Sequence, residues 1–205
     1  MGFVSEANKP LHIKAVTKVL NMIKQEVLAQ PPYLAREMLK VGAAITTAQS
    51  GSLRGPEVFM LDLAGIRTHI SKGRDGVMPE KPMDVGTDLF NAPYVYIALL
   101  GEFKGENGVR EHLVAVASES KSGVDTRWWL EKLIQVREAE GCTSGPAFGH
   151  ADGTVATMSD YDDILHMFLK RIQDDSNCSL IEEDDDVSKW YSFFRTFCMT
   201  AEGRA

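Results

Sequence analysis

Ser52-Leu53-Arg54-Gly55-Pro56-Glu57, followed by Leu61-Asp62-Leu63-Ala64-Gly65-Ile66, is the stretch on which the reading of this chain turns. It follows an apolar, helix-like run and carries its own helix-start signals, so Arg54 stands at a helix-to-helix junction. Pro56 suits a first helical turn because its missing N–H would have no intrahelical partner there, and Glu57 complements the positive end of the helix. An arginine at such an entrance is placed to hold phosphate, since its planar fork grips two oxygens and stays charged. The plainer reading of the same residues is an exposed arginine beside a helix that begins at Pro56.

Upstream, Pro10 opens a helix whose apolar residues Val16, Val19, Leu20, Ile23 and Val27 recur at helical spacing until Gln30-Pro31-Pro32 stops it. A second apolar series, Leu34, Met38, Val41 and Ile45, runs to the turn at Ser50-Gly51. Downstream, residues 72–93 carry glycines and prolines with little periodicity and read as a long irregular excursion. Residues 94–100 and 112–117 are β-prone runs separated by a glycine-bearing segment, so they form a hairpin with Lys104 near its tip. Trp128, Leu130, Leu133 and Val136 mark a helix that Gly141 ends. Ser159 is the expected cap of another helix, with Ile164, Leu165, Phe168, Leu169 and Ile172 on one face, and residues 191–205 include a last helical stretch. The core should collect Val41, Ile45, Leu61, Leu99, Val114, Leu133 and Phe168.

Composition excludes several function classes. With 205 residues, 44% hydrophobic and 25% charged, the chain is a globular protein able to bury a substantial core. No stretch reaches the roughly 20 apolar residues that span a bilayer. The start Met1-Gly2-Phe3-Val4 lacks the pattern of a secretory signal, so the expectation is an intracellular protein without a membrane partner. Cys142, Cys178 and Cys198 lie far apart, and the five histidines form no His-x-x-x-His pair, so neither a disulfide framework nor a metal site is expected. Asp160, Asp162 and Asp163 complement a helix start without needing a cation. The glycines between 141 and 153 lack the order of a nucleotide loop, and no cofactor is expected. A net charge of -7 opposes strong electrostatic attachment to nucleic acid. Much of that charge is local to Glu182-Glu183-Asp184-Asp185-Asp186, leaving room for a basic face elsewhere.

The Arg54 motif, Lys104 in the hairpin and the segment Tyr191-Ser192-Phe193-Phe194-Arg195-Thr196-Phe197-Cys198-Met199-Thr200-Ala201-Glu202 together resemble the tyrosine recombinase/integrase superfamily of DNA breaking-rejoining enzymes. In that family a Leu-Arg-x-x-Glu helix start leads into an Asp-containing strand. The last segment resembles the family's second arginine box, in the version carried by eukaryotic mobile elements. The resemblance covers roughly residues 33–205, with residues 1–32 as an N-terminal helix and linker. It implies an α+β fold, mainly α-helical, with an integrase-like catalytic core and a small antiparallel sheet.

The implied chemistry is metal-free phosphoryl transfer on double-stranded DNA, by an enzyme that can act as a homo-oligomer on its site. A tyrosine attacks the scissile phosphate, positioned cations stabilise the charge on the phosphoryl oxygens, and a lysine protonates the departing oxygen. Carried over residue by residue, Arg54, Lys104 and Arg195 become the catalytic and DNA-binding candidates, and their charged ends should converge on one concave face. Two departures point to an inactive, truncated or degenerate version. Cys198 falls where a phosphate-binding arginine belongs, and the nucleophile's place lies beyond the second box, whereas Tyr161 and Tyr191 precede it. The resemblance would make the protein nuclear in a eukaryote. The competing readings are a noncatalytic protein-interaction or regulatory domain on the same scaffold, and an unrelated helical domain.

Overall fold

The computed structural model describes residues 11–67, 94–101, 108, 110–175 and 180–181. Helix α1 (Ile13–Ala29) starts where the His12 imidazole accepts the N–H of Lys14, and it buries Val16, Val19, Leu20, Ile23 and Val27 along one stripe. Gln30 is extended, the backbone state favoured before proline, and Pro31 breaks the ladder. Helix α2 (Pro32–Gly51) then begins with Pro32 in its first turn, where the lost donor costs nothing. Its first turn leaves Tyr33 and Leu34 exposed, at 65% and 58%, so the buried series opens at Ala35 and Leu39 rather than at Leu34. From Leu39 to Gln49 every residue of α2 is buried, the mark of a helix enclosed on all sides. α1 and helix α4 (Thr126–Ala139) pack on it, with helix α5 (Asp162–Gln173) contacting both α1 and α2.

Small residues let those helices approach. Gly42 lies directly under the ring of Trp129, where a methyl group would overlap the ring carbons. Trp129 is 2% exposed, so its ring cannot swing out into solvent. Its neighbour Trp128 lies edge-on to it with ring centroids 4.7 Å apart, and Trp128 is the partly exposed member of the pair. The α4 start is fixed by Asp125, whose carboxylate accepts the N–H of Trp128, and its end by Gly141 at φ 81°, a left-handed state that glycine adopts without strain.

After α2, Ser52 turns the chain through the left-handed region and a single helical turn, α3 (Gly55–Val58), delivers it to the sheet. Strands β1 (Leu61–Arg67), β2 (Tyr94–Gly101) and β3 (Arg110–Ala117) form an antiparallel sheet in the order β1-β2-β3. The β2–β3 pairing runs in unbroken register from Tyr94 with Ala117 to Gly101 with Arg110, so the expected hairpin is present. β1 is bulged between Leu61 and Ile66, where Asp62 accepts the N–H of Ala64 and Gly65 presses against the Ala98 carbonyl. On the other edge of β1 the 145–147 segment adds a short antiparallel run, with Leu63 N–H to Gly145 O at 2.9 Å and Ala147 N–H to Leu61 O at 2.8 Å.

Of the expected core, Val41, Ile45, Leu61, Leu99, Leu133 and Phe168 are buried, while Val114 is only partly so. One capping expectation is corrected. Ser159 lies inside a short 3-10 turn (Met158–Asp160) instead of capping a helix; the turn is closed by Thr157 and Asp160, and α5 follows from Asp162. Asp162 and Asp163 occupy the first turn of α5 and Lys170 and Arg171 the last, both matching the helix dipole. The irregular excursion at 72–93 and the last helical stretch at 191–205 lie outside the described residues.

The Gly42–Trp129 contact makes a direct test. Gly42→Ala should cost on the order of 1–3 kcal/mol, because the overlapped ring has nowhere to move. Combining it with Trp129→Leu should be strongly non-additive in urea denaturation. Full additivity of the two changes would refute the contact.

Candidate functional site

Arg54 is presented by a short, internally tied turn. Its backbone is extended (φ -70°, ψ 155°), its carbonyl accepts the N–H groups of Glu57 and Val58, and its own N–H donates to the Glu57 carboxylate at 2.8 Å. The second Glu57 oxygen stands 3.9 Å from the Arg54 guanidinium, and the arginine side chain remains 44% exposed. Glu57 thus holds the backbone of the turn tightly and the guanidinium loosely, so the cation can still reach an outside anion. With only four residues, α3 adds little dipole, and the positive charge available here is that of Arg54 itself.

The turn is anchored from below. Leu53 and Val58 are buried on either side of Arg54, and Phe59 packs on Tyr161 and Phe148 with ring centroids 5.8 and 5.6 Å away. Phe148 belongs to the segment that pairs with β1, and that segment is held by Arg137 of α4. The Arg137 guanidinium is fully buried and one nitrogen, Nη1, donates to the carbonyls of Gly149 and His150, both at 2.8 Å, and to Glu140 at 2.6 Å. Lys40 of α2, also fully buried, donates to the other Glu140 oxygen at 2.8 Å and to Glu37 at 3.0 Å. Gly149 must be glycine here, since a side chain would run into Arg137 Nη2 and the Thr154 carbonyl.

Tyr161 is fully buried and its hydroxyl has no hydrogen-bond partner among the described residues. Burial first, and then the negative Glu37, push its phenol well above the usual range, with Arg137 opposing. Its hydroxyl is enclosed by the core and does not face the surface that carries Arg54. Asp160 is held below the ordinary carboxylate range by the Thr157 N–H and hydroxyl, consistent with its place in the 3-10 turn. Its other neighbour is His150, 3.7 Å away.

The sheet register says where Arg54 lies relative to the hairpin. Leu61, at the start of β1, pairs with Leu99, two residues before Gly101, and Gly101 pairs with Arg110. The α3 turn that leads into β1 and the connection between β2 and β3 are therefore at one end of the sheet. Lys104, Arg195, Cys198 and Tyr191 lie outside the described residues, so of the three candidates only Arg54 has a described position. Sequence reasoning missed Arg137 and Lys40. Their signal was faint: each is a single cation at a helix position that apolar neighbours bury on both sides. No group of three or more His, Cys, Asp or Glu able to hold a metal occurs among the described residues. No described helix is long and apolar enough to cross a membrane.

Neither a family model nor a curated protein matches this chain. Among solved structures, its fold is similar to that in the crystal structure of the XerH site-specific recombinase bound to its difH substrate as a pre-cleavage complex. The TM-score is 0.59 at 11% sequence identity, over 100% of this chain and 46% of that one. The chain thus has a recombinase-like fold and spans about half the length of that protein.

Two outcomes test the supporting network. Arg137→Ala removes one partner of a buried ionic cluster and should cost about 3–5 kcal/mol in urea denaturation, with a loss below about 1 kcal/mol marking the cluster as dispensable. Tyr161 gives a pH signature. A phenol whose pKa is raised by folding contributes stability that is complete below the unfolded value of about 10 and is lost as pH rises past it. Tyr161→Phe should leave the neutral-pH melting temperature unchanged or higher, and should blunt its fall toward pH of about 10.5. An undiminished alkaline fall in the variant would assign the effect to other groups.

Proposed function

We propose that this chain is a double-stranded DNA-binding domain related to site-specific recombinases and integrases, and that as this chain it does not cut DNA. The observation that carries the reading is Arg54: a partly exposed guanidinium, backbone-locked by Glu57 and braced through Phe59, at the end of the sheet where the β2–β3 connection lies. A recombinase-like fold supports it. In this reading Lys104 and Arg195 join Arg54 on one phosphate, Arg54 and Arg195 by hydrogen-bonded charge and Lys104 from the hairpin connection. In this reading the Arg195 segment is of the kind found in integrase-like domains of eukaryotic mobile elements, and the protein would be nuclear in such a host. Assembly as a homo-oligomer on DNA belongs to the same reading.

Inactivity rests on two residues. Cys198 supplies no positive charge at the position of the family's phosphate-binding arginine, and loss of one such donor costs a few kcal/mol of transition-state stabilisation. Tyr161 is fully buried, so in this reading its hydroxyl is out of reach of the backbone of DNA.

Duplex binding should be weak, visible at low ionic strength and steeply lost with salt, because a local cationic site works against a net charge of -7. Arg54→Ala should weaken it and reduce the slope of log affinity against log salt by about one. A suicide substrate followed by denaturing electrophoresis should show no covalent adduct, and Cys198→Arg should tighten binding without creating one. An adduct mapped to Tyr161 or Tyr191 would overturn this assignment of roles. A folded protein with no duplex binding at low salt would favour the noncatalytic protein-interaction domain instead.

A further inference from the structure

A groove of about 230 Å³ lies between the α1–α2 elbow and α4, at the opposite end of α2 from Arg54. Its floor is apolar, built from Val27, Leu39, Trp128 and Val136 among others. At its lip stands Leu28, 68% exposed, beside an elbow that also exposes Tyr33 and Leu34. Isolated exposed apolar residues are ordinary, but Leu28 continues the apolar floor of the groove outward to solvent, and the elbow beside it exposes two more large apolar side chains within seven positions.

The charge around it is one-sided. Arg36 and Lys132 line the groove and no carboxylate does, in a chain whose overall charge is -7. Lys24 adds a third cation, its ammonium 4.2 Å above the Trp128 ring. Several cations elsewhere on the surface are paired: Lys18 with Asp175, Lys170 with Asp174 and Arg171 with Glu26. Arg36, Lys24 and Lys132 make no ion pair among the described residues, and Lys132 donates only to the amide oxygen of Gln135.

We propose that this groove is a docking site for a short segment of a partner protein whose apolar side chains are flanked by carboxylates. The apolar floor would take the side chains, and Arg36, Lys24 and Lys132 would meet the acidic flanks, setting orientation and rejecting basic segments. Duplex DNA fits less well, because a phosphate backbone over the groove would cover Leu28 and Tyr33 with charge and hydrate the surface that most needs covering. The site does not depend on the DNA-binding reading. α2 has 20 residues and spans roughly 30 Å, so an occupant here leaves Arg54 free.

The probe is a fluorescein-labelled synthetic peptide with leucine and phenylalanine on one face and glutamates around it, read by fluorescence anisotropy on the full chain. A version with lysines replacing the glutamates serves as control. Saturable binding of the acidic peptide is expected, about tenfold or more tighter than the lysine version. Leu28→Asp and Arg36→Glu, both at solvent-accessible positions, should each weaken it about tenfold while leaving the circular dichroism spectrum and the melting temperature intact. Arg36→Glu should also narrow the gap between the two peptides, a readout that general loss of structure would not give. Equal binding of both peptides, or none, overturns the proposal. Displacement of the peptide by duplex DNA would make the groove a nucleic-acid surface, and a dimer in sedimentation that Leu28→Asp dissociates would make it a self-association face; either result overturns it too. Arg54→Ala should leave peptide binding unchanged, so failure here and failure of the DNA-binding reading remain distinguishable.

Discussion

Arg137 takes a permanently charged group into the interior, where one of its nitrogens, Nη1, gathers acceptors from the surrounding chain while Nε and Nη2 are buried without a partner among the described residues. A buried guanidinium needs a carboxylate and acceptors, or the cost of leaving water is unrecovered. Glu140, one turn along the same helix, supplies the carboxylate, but its second oxygen then needs a donor, and Lys40 of α2 reaches it across the helix interface. The carbonyls of Gly149 and His150 also accept from Nη1, which ties the loop after α4 to that helix. Three separate parts of the chain are therefore registered by one cluster. Hydrophobic packing alone would hold α2 against α4 and would leave the loop free to slide.

From that loop the constraint passes to the surface. Residues 145–147 lie along β1, Phe148 projects beneath α3, and Phe59 sits between Phe148 and Tyr161. The Arg54 turn rests on this aromatic layer, and Glu57 closes it from above by accepting the Arg54 N–H. Under the proposed DNA-binding role rigid placement would matter, because a guanidinium preorganised by its surroundings loses less on binding than one that must be ordered at the moment of contact. The buried ion cluster and the exposed arginine thus belong to one support, even though no bond joins them.

Much of this architecture was legible in the sequence, for reasons that differ by element. The α1 stripe, the α4 helix with its Gly141 stop, and the β2–β3 hairpin are local patterns: periodicity and turn residues fix them without knowledge of neighbours. Leu34 and Ser159 were misread because the deciding facts were not local. Leu34 has helical spacing to Met38 and Val41 but stands on a first turn that the neighbouring helices leave uncovered. Ser159 has the right chemistry for a cap, yet Thr157 and Asp160 occupy that role two residues earlier and one later. Of the candidate site, the Arg54 junction could be read from Pro56 and Glu57. The Arg137 cluster could not, since a lone arginine in a helix signals a solvated face until the partners from α2 and the 149–150 loop are known.

The cations of this acidic chain are used in distinct ways, and that division bears on function more than the net charge does. Lys40 and Arg137 are spent in the interior, and Lys18, Lys170 and Arg171 in surface pairs whose energetic worth is small. Among the described cations that remain, Arg54 stands at one end of α2, and Arg36, Lys24 and Lys132 stand near the other. The two sets differ in setting. Arg54 is a single charge on a tied turn with an acidic neighbour, an arrangement suited to one anion at a defined place. The other three stand around an apolar groove, where charge would orient a ligand whose affinity comes from buried side chains. A chain that repels nucleic acid overall can still present one phosphate-sized point of attraction.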